Sequence, residues 1–148
     1  MVVAIIAVFS LVQQTTSFLP LSGQRLMASY LAQEGIEIIR NLRDSNKVKE
    51  VDWLTGLTGC AATGCEADYS SQSLTPWTTG RNLLNDGSFY NYALGQATSY
   101  QRKITLTTED ASENPDPDTD ILKIEVQVLW QEKGRTHSFL ASEKLYNW

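Results

Sequence analysis

Few residues in this chain could take part in redox or metal chemistry: two cysteines, Cys60 and Cys65, and one histidine, His137. The cysteines lie in the glycine-bearing stretch GLTGCAATGCEADY, a short loop that a disulfide can close. A metal site built on these cysteines would need more cysteine and histidine ligands than the chain contains. We therefore expect a disulfide between Cys60 and Cys65, with free thiols as the alternative. A disulfide would place the folded part in an oxidising compartment outside the cytoplasm.

Oxygen ligands for a cation are concentrated in one segment, EDASENPDPDTD, which has six acidic residues, two prolines and no basic residue. Such a run is typical of a solvated loop, and we favour that interpretation. Asp116, Asp118 and Asp120 alternate along it and could instead gather their carboxylates around calcium. The glycine-containing loop of a strong calcium motif is absent. Calcium is therefore a secondary hypothesis, and no other cofactor is expected.

No arrangement of residues in the sequence indicates catalysis. His137 falls within a predicted strand near Arg135, a position more typical of a structural or surface histidine than of a general base. The glycines form no phosphate-binding loop, and no serine lies in a G-x-S-x-G turn. Glu34 and Glu37 read as part of a solvated helix face. A net charge of −5 with scattered basic residues argues against nucleic-acid binding. We expect a protein that is not an enzyme.

An amphipathic helix is predicted over 25–44, because apolar and small residues recur there at helical spacing. Ile36 falls off the apolar face and is expected to be a surface residue or a contact to a neighbouring subunit. Arg40 and Asp44 fall on the polar face, where they could form an i,i+4 ion pair. The apolar face comprises Ala28, Leu31, Ala32, Gly35, Ile38, Ile39 and Leu42.

The chain begins with MVVAIIAVFSLV, in which eleven of twelve residues are apolar, and it has no charged residue before Arg25. This stretch is shorter than the roughly 17–25 apolar residues that span a bilayer as a helix. Pro20 and Gly23 should kink or interrupt a helix that continued from it, with two tandem helices as the alternative. A helix from Met1 to Asp44 would be about 65 Å long, more than the rest of the chain can cover. The first part, 1–24, must therefore be buried in something else, through Val2, Val3, Ile5, Ile6, Val8, Phe9, Leu11 and Val12.

The remaining chain is predicted to form a loop region over 45–98, in which the apolar run SFYNYAL is a candidate strand, and an antiparallel sheet over 99–148. In YQRKITLTTE and ILKIEVQVLWQ, apolar and polar residues alternate with the period of a strand, and THSFLASEKLYNW continues the pattern. One face of this meander should be buried. Gly134 in QEKGR should form the hairpin turn between the last two strands. The expected fold class is α+β, with a globular domain over 25–148.

Two stretches of the chain resemble type IV pilins and the pseudopilins of type II secretion: MVVAIIAVFSLV and RLMASYLAQEGIEIIRNLRDSN. The second is similar to the minor pilin and minor pseudopilin I branch, in which an A-x-x-L-A-Q-E-x-I-E-x-x-R run continues the N-terminal helix. The terminal LYNW and the cysteine loop followed by Ala67, Asp68 and Tyr69 also resemble bacterial members. The likeness is closest over residues 1–46.

The resemblance implies a pilin-like fold and a filament subunit, held as a single-pass protein in the inner membrane with its globular domain extracytoplasmic before it assembles. Its partners would be other pilins or pseudopilins, which cover the apolar N-terminal helix. The small residues Ala28, Ala32 and Gly35 would allow close approach of a neighbouring subunit, although we favour packing on the chain's own sheet. A membrane-anchored extracytoplasmic binding module that does not polymerise is the alternative function.

Members of this family carry a basic leader that ends in glycine, followed by Phe-Thr-Leu-(Ile or Val)-Glu and then the apolar stretch. Met1 of this chain corresponds to the position after that glutamate. We therefore expect the reading frame to continue upstream into this motif. The sequence does not distinguish a filament used for secretion from one used for adhesion, motility or DNA uptake.

Overall fold

The computed structural model describes residues 2–109 and 121–147, and it describes the side chains of the N-terminal helix from Ser22 onward. That helix, α1, extends over Val2–Val48, a length of about 70 Å at a rise of about 1.5 Å per residue. The interruption expected at Pro20 and Gly23 is wrong, because both residues lie within this single helix. A proline removes one backbone hydrogen bond, and the many other bonds of a 47-residue helix remain to hold it.

The predicted meander is formed by β6 (Tyr100–Glu109), β7 (Ile121–Glu132) and β8 (Arg135–Tyr146). Each strand pairs with the next in antiparallel register, from Tyr100 opposite Trp130 to Glu109 opposite Ile121. Lys133 and Gly134 form the hairpin turn between β7 and β8, and both have positive φ, 48° and 75°. Two consecutive positive φ angles are typical of the type I′ turn that matches strand twist, so the predicted hairpin is confirmed.

The region between α1 and β6 contains five strands of two residues each, where the sequence predicted loops with SFYNYAL as a candidate strand. One of the five strands, Tyr90–Asn91, lies in that run. β1 (Cys65–Glu66) and β2 (Thr75–Pro76) extend the meander beyond β6, giving a five-stranded sheet in the order β2-β1-β6-β7-β8. β3 (Leu84–Asn85), β4 (Tyr90–Asn91) and β5 (Gln96–Ala97) form a separate small sheet. Two residues are too short a run to show strand alternation.

The core lies between α1 and one face of the meander, which makes the domain an α+β fold. The predicted faces are confirmed: alternate residues of β6 and β7 are buried, with Ile104, Ile124, Val126 and Val128 fully inaccessible. In β8 Leu145 is buried, the other inward residues are half-buried and the outward ones are exposed. The packed face of α1 is also as predicted, with Ala28, Leu31, Ala32 and Ile39 in the core.

Two expectations about the helix are wrong for the same reason, which is that β8 covers one side of it. Ile36 is 8% exposed and belongs to the core. Arg40 lies on that side and binds Glu143 of β8 at 2.5 Å, and it also contacts Glu37. It therefore does not pair with Asp44, which binds Arg43 instead.

Candidate assembly surface

Close contact between α1 and the sheet depends on Gly35. A Cβ atom at this position would lie 2.8 Å from Cγ1 of Val126 and 3.1 Å from Cδ of Arg102, closer than a methyl group can normally approach. Ala28 and Ala32 are fully inaccessible on the same face. These three small residues therefore contact the chain's own sheet, which is the use that the sequence favoured.

The opposite face of α1 is directed away from the sheet. Leu26 and Tyr30 are 55% and 57% exposed, and they are four residues apart, so they are neighbours on the helix surface. They lie four and eight residues after Ser22, in the part of α1 that is nearer to the apolar stretch. We call Leu26 and Tyr30 the candidate assembly surface.

The described contacts of α1 with the sheet begin near Gln24, whose carbonyl oxygen accepts a hydrogen bond from the Tyr100 hydroxyl at 3.3 Å. At the other end, Arg43 donates to the Tyr146 carbonyl oxygen at 3.5 Å, and Lys47 donates to Asn147 at 2.5 Å. Helix and β8 therefore run in the same direction. The C-terminal half of α1 is the part that these contacts attach to the sheet.

A buried arginine, Arg102 on β6, connects this half of α1 to the segment after the disulfide. It is fully inaccessible, and it donates to the carbonyl oxygens of Leu31 and Ala67 at 3.1 and 2.7 Å. Its Nη1 also lies 3.1 Å from the Glu34 carboxylate. Glu34 is therefore the partner of a buried charge and not simply a solvated residue. The inward position of an arginine in an alternating strand was the sequence signal for this role, and it was missed.

The segment after the disulfide is held by two buried carboxylates. Glu66 is 1% exposed, and it binds Arg81 at 2.9 Å and accepts from the Thr78 backbone N–H at 2.7 Å. Asp68 accepts from Ser70, from Ser71 and from the backbone N–H of Tyr92. Burial acts to raise the pKa of Asp68, but these hydrogen bonds outweigh it and lower the pKa below its ordinary value.

The predicted disulfide is present: Cys60 and Cys65 are joined, with their Cα atoms 5.4 Å apart. Cys65 lies in β1, opposite Ile104 of β6, so the disulfide loop is attached to the main sheet. Both cysteines are buried. A closed, buried disulfide gives this pair a structural role.

A groove of about 410 Å³ lies between the side of α1 and the segment 69–72. Ile38 and Leu42 contribute apolar surface to it, and Glu34 and Lys49 contribute charge. Beside it, Tyr69 and Phe89 are both about half exposed and their ring centroids are 4.7 Å apart. This arrangement can receive a partly apolar ligand.

The other site residues predicted from the sequence have different outcomes. The calcium candidates Asp116, Asp118 and Asp120 lie outside the described residues, as do the side chains of Val2, Val3, Ile5, Ile6, Val8, Phe9, Leu11 and Val12. Over 2–109 and 121–147, no three His, Cys, Asp or Glu residues are grouped to hold a metal ion. His137 is half-buried and stacks on Trp130 with ring centroids 5.5 Å apart.

Among the helical residues that the structure describes, no stretch is both long and apolar enough to cross a membrane. Comparison of the chain with protein-family models, with curated proteins and with solved structures found no match.

Proposed function

We propose that this chain is a structural subunit, a minor pilin or pseudopilin, of a type IV pilus or type II secretion-like filament. One observation carries the proposal: a single helix, α1, is attached to the sheet through its C-terminal half, and it begins with an uncharged apolar stretch. Such a stretch requires an apolar environment, because leaving it in water is costly. Copies of the same helix in a filament core would supply that environment.

The exposed Leu26 and Tyr30 support the same role. They are apolar side chains exposed on the folded domain, on the side of α1 that its own sheet does not use. A helix that joined a bundle with other subunits would bury this side. Before assembly the apolar stretch would lie in the inner membrane, with the disulfide-bonded domain outside the cytoplasm.

The groove beside Tyr69 and Phe89 favours a second candidate function, a membrane-anchored binding module that does not polymerise. In that case the N-terminal stretch would serve as an anchor alone, and the groove would receive the ligand. The two candidates differ in where the chain is found when filaments are assembled. Neither requires catalysis by this chain.

The decisive experiment measures how much of the chain co-purifies with filaments sheared from cells in which the assembly ATPase is active. The filament subunit is expected in the sheared fraction, and Ile6→Arg should remove it, because a charge in an apolar helix core is costly. Ile6→Leu is the matched control and should assemble normally. A chain that remains entirely in the membrane fraction would instead support the binding module.

A second pair of variants tests the exposed face of α1. Tyr30→Ser should lower incorporation into filaments without changing the free energy of unfolding, because Tyr30 makes little contact with its own domain. Tyr146→Ser is the matched control, since Tyr146 is 55% exposed on β8. Equal incorporation of both variants would contradict an assembly role for this face.

A further inference from the structure

Three exposed cations lie at the end of the domain from which the apolar stretch departs. Lys133 and Arg135 flank Gly134 in the β7–β8 turn, and Arg25 lies on α1. Among the described residues, none of the three forms an ion pair with a carboxylate. Glu132, opposite Arg135 in the strand register, is the nearest acidic residue along the hairpin. The cluster is therefore net positive in a chain of charge −5. We call Arg25, Lys133 and Arg135 the basic hairpin patch.

The level of this patch along α1 follows from the contacts of the helix with β8. Arg40 binds Glu143 of β8. Arg135 precedes Glu143 by eight residues, which corresponds to about 26 Å of strand at about 3.3 Å per residue. The same distance corresponds to about 18 helical residues at about 1.5 Å each. Arg135 is therefore at the level of the residue about 18 positions before Arg40, which is Ser22. The hydrogen bond from the Tyr100 hydroxyl to the Gln24 carbonyl oxygen supports this estimate. Tyr100 lies opposite Trp130, and Trp130 lies opposite His137. The start of β8 is therefore beside Gln24.

Arg25 has the same rotational position around α1 as Arg43. It precedes Arg43 by eighteen residues, which is five full turns of an α-helix at about 3.6 residues per turn. Arg43 donates to the Tyr146 carbonyl oxygen of β8. Arg25 follows Gln24 directly, and the Gln24 carbonyl oxygen marks the level of Tyr100, Trp130 and His137. The three cations therefore lie at the same end of the domain, at about the same level along α1.

The position of the hairpin is well defined. Trp130 is 3% exposed, stacks on His137 and has its ring centroid 6.3 Å from that of Tyr100. These aromatic contacts connect the end of β7 with the starts of β6 and β8. The Tyr100 hydroxyl in turn connects this group to the carbonyl oxygen of Gln24 on α1. The cations are thus held beside the helix where its apolar, uncharged part ends.

We propose that the basic hairpin patch binds the phosphate groups of anionic phospholipids while the apolar stretch lies in the membrane. This inference rests on the membrane stage of the proposed function. Residues 2–24 carry no charge, and Arg25 is the first charged residue after them along the chain. The patch therefore follows the apolar segment, at the level where we place the lipid headgroups. Lys and Arg at that level are attracted to anionic lipid, and their long side chains can reach the headgroups while the domain remains in water.

The binding sets the orientation of the domain before assembly. Lipid contacts on both α1 and the β7–β8 turn would hold this end of the domain at the bilayer surface. Tyr30 lies about 140° from Arg25 around the helix and would remain directed away from those contacts. Extraction of the subunit from the membrane would then require release of these contacts. Raised salt should weaken them, because surface charge interactions are screened.

The test measures partition of the purified full chain into vesicles of phosphatidylcholine, alone or mixed with phosphatidylglycerol. Phosphatidylglycerol is expected to raise the partition coefficient about tenfold or more at low salt, since each cation near an anionic surface contributes about fivefold. The variant Arg25→Gln/Lys133→Asn/Arg135→Gln should lose this increase. Lys133→Asn is chosen because Asn-Gly is a preferred type I′ turn, so the hairpin is retained.

The matched control, Lys47→Gln/Lys49→Gln/Lys144→Gln, removes the same charge at the opposite end of the domain and should keep the increase. Thermal unfolding followed by circular dichroism checks that both variants are folded. An equal loss in both variants, or none in the patch variant, overturns the inference. The inference is also overturned if the chain associates with itself in the absence of lipid and the patch variant loses this self-association. If the parent binds both vesicles equally, the inference alone fails; if it binds neither, the membrane stage of the proposed function fails.

Discussion

Arg102 is a fully buried charge that three parts of the chain share: the Leu31 carbonyl oxygen and Glu34 carboxylate of α1, the Ala67 carbonyl oxygen, and β6 itself. A buried cation is tolerated only when its donors are used. Four of its five N–H groups are on the two terminal nitrogens that make these contacts. Its Nε is buried without a partner among the described atoms. The guanidinium therefore orders the segment after the disulfide against the helix.

Arg102→Met should lower the free energy of unfolding by about 3 kcal/mol, because it leaves two buried carbonyl oxygens and a carboxylate without their donor. Urea denaturation measures the change. Arg40→Met is the comparison, since its ion pairs are more than one-third exposed and such pairs contribute less than about 1 kcal/mol. Similar losses in both variants would contradict the structural role of Arg102.

Tyr92 should make stability depend on alkaline pH. Burial raises the pKa of its hydroxyl from 10.0 to about 12, against the opposing effect of Arg102, and the hydroxyl donates to the Arg102 carbonyl oxygen at 3.2 Å. The folded state keeps a proton that the unfolded state loses, so the contribution of Tyr92 is complete below pH 10 and disappears as the pH rises toward 12.

The unfolding free energy is measured between pH 10 and about 12. It should fall with rising pH in the parent and fall less in Tyr92→Phe. At neutral pH this variant should lose about 1 kcal/mol, for one hydrogen bond. Tyr30→Phe, at an exposed position, should keep the full alkaline dependence. An unchanged slope in Tyr92→Phe would show that the fall comes from other groups.

At the scale of elements, the helix and the sheet are matched in shape at Gly35, while Gly23 has no atom within 4 Å of the place its Cβ would occupy. Both glycines lie in α1, so alanine gains about 1 kcal/mol of helix propensity at either position. Gly23→Ala should stabilise the chain by up to this amount. Gly35→Ala should destabilise it by about 1–3 kcal/mol, because Val126 is buried and cannot move freely. Thermal unfolding of the two variants gives the comparison, and a stabilised Gly35→Ala would mean that helix and sheet can separate slightly.

The elements differ in how far the sequence predicts them. Alternation in β6, β7 and β8 and the small residues of α1 are local patterns, and both identified the buried faces. Ile36 was misplaced because the width of the buried helix face depends on β8, which no local pattern contains. The contact of Arg102 with Ala67 joins residues 35 apart in the chain, so it depends on tertiary structure. The short strands β1 to β5 depend on their partners in the same way.

At the scale of the whole molecule, the domain has a regular part and an irregular part. α1, β6, β7 and β8 form the core by extended pairing and apolar packing. The region between α1 and β6 has strands of two residues, and the disulfide, Glu66 and Asp68 hold it. Regions with few regular hydrogen bonds open at lower free energy than the core.

Reduction of the Cys60–Cys65 disulfide should therefore act mainly on the irregular part. Hydrogen exchange read by mass spectrometry is expected to show faster exchange over 49–99 after reduction, with β7 and β8 unchanged. The stability loss should be about 2 kcal/mol, as expected for a short closed loop. Alkylation with and without reductant confirms the state of the thiols. Uniformly faster exchange would indicate that the two parts unfold together.

Glu109 and Ile121 face each other at the end of the β6–β7 ladder, so strand pairing brings the two ends of their connection together. The entropy of closing a flexible connection grows only with the logarithm of its length, and doubling it costs about 0.6 kcal/mol. Insertions there should leave the register of the meander unchanged. We therefore expect that an epitope or a fluorophore tag inserted between Glu109 and Ile121 will leave α1 and its exposed face unaltered.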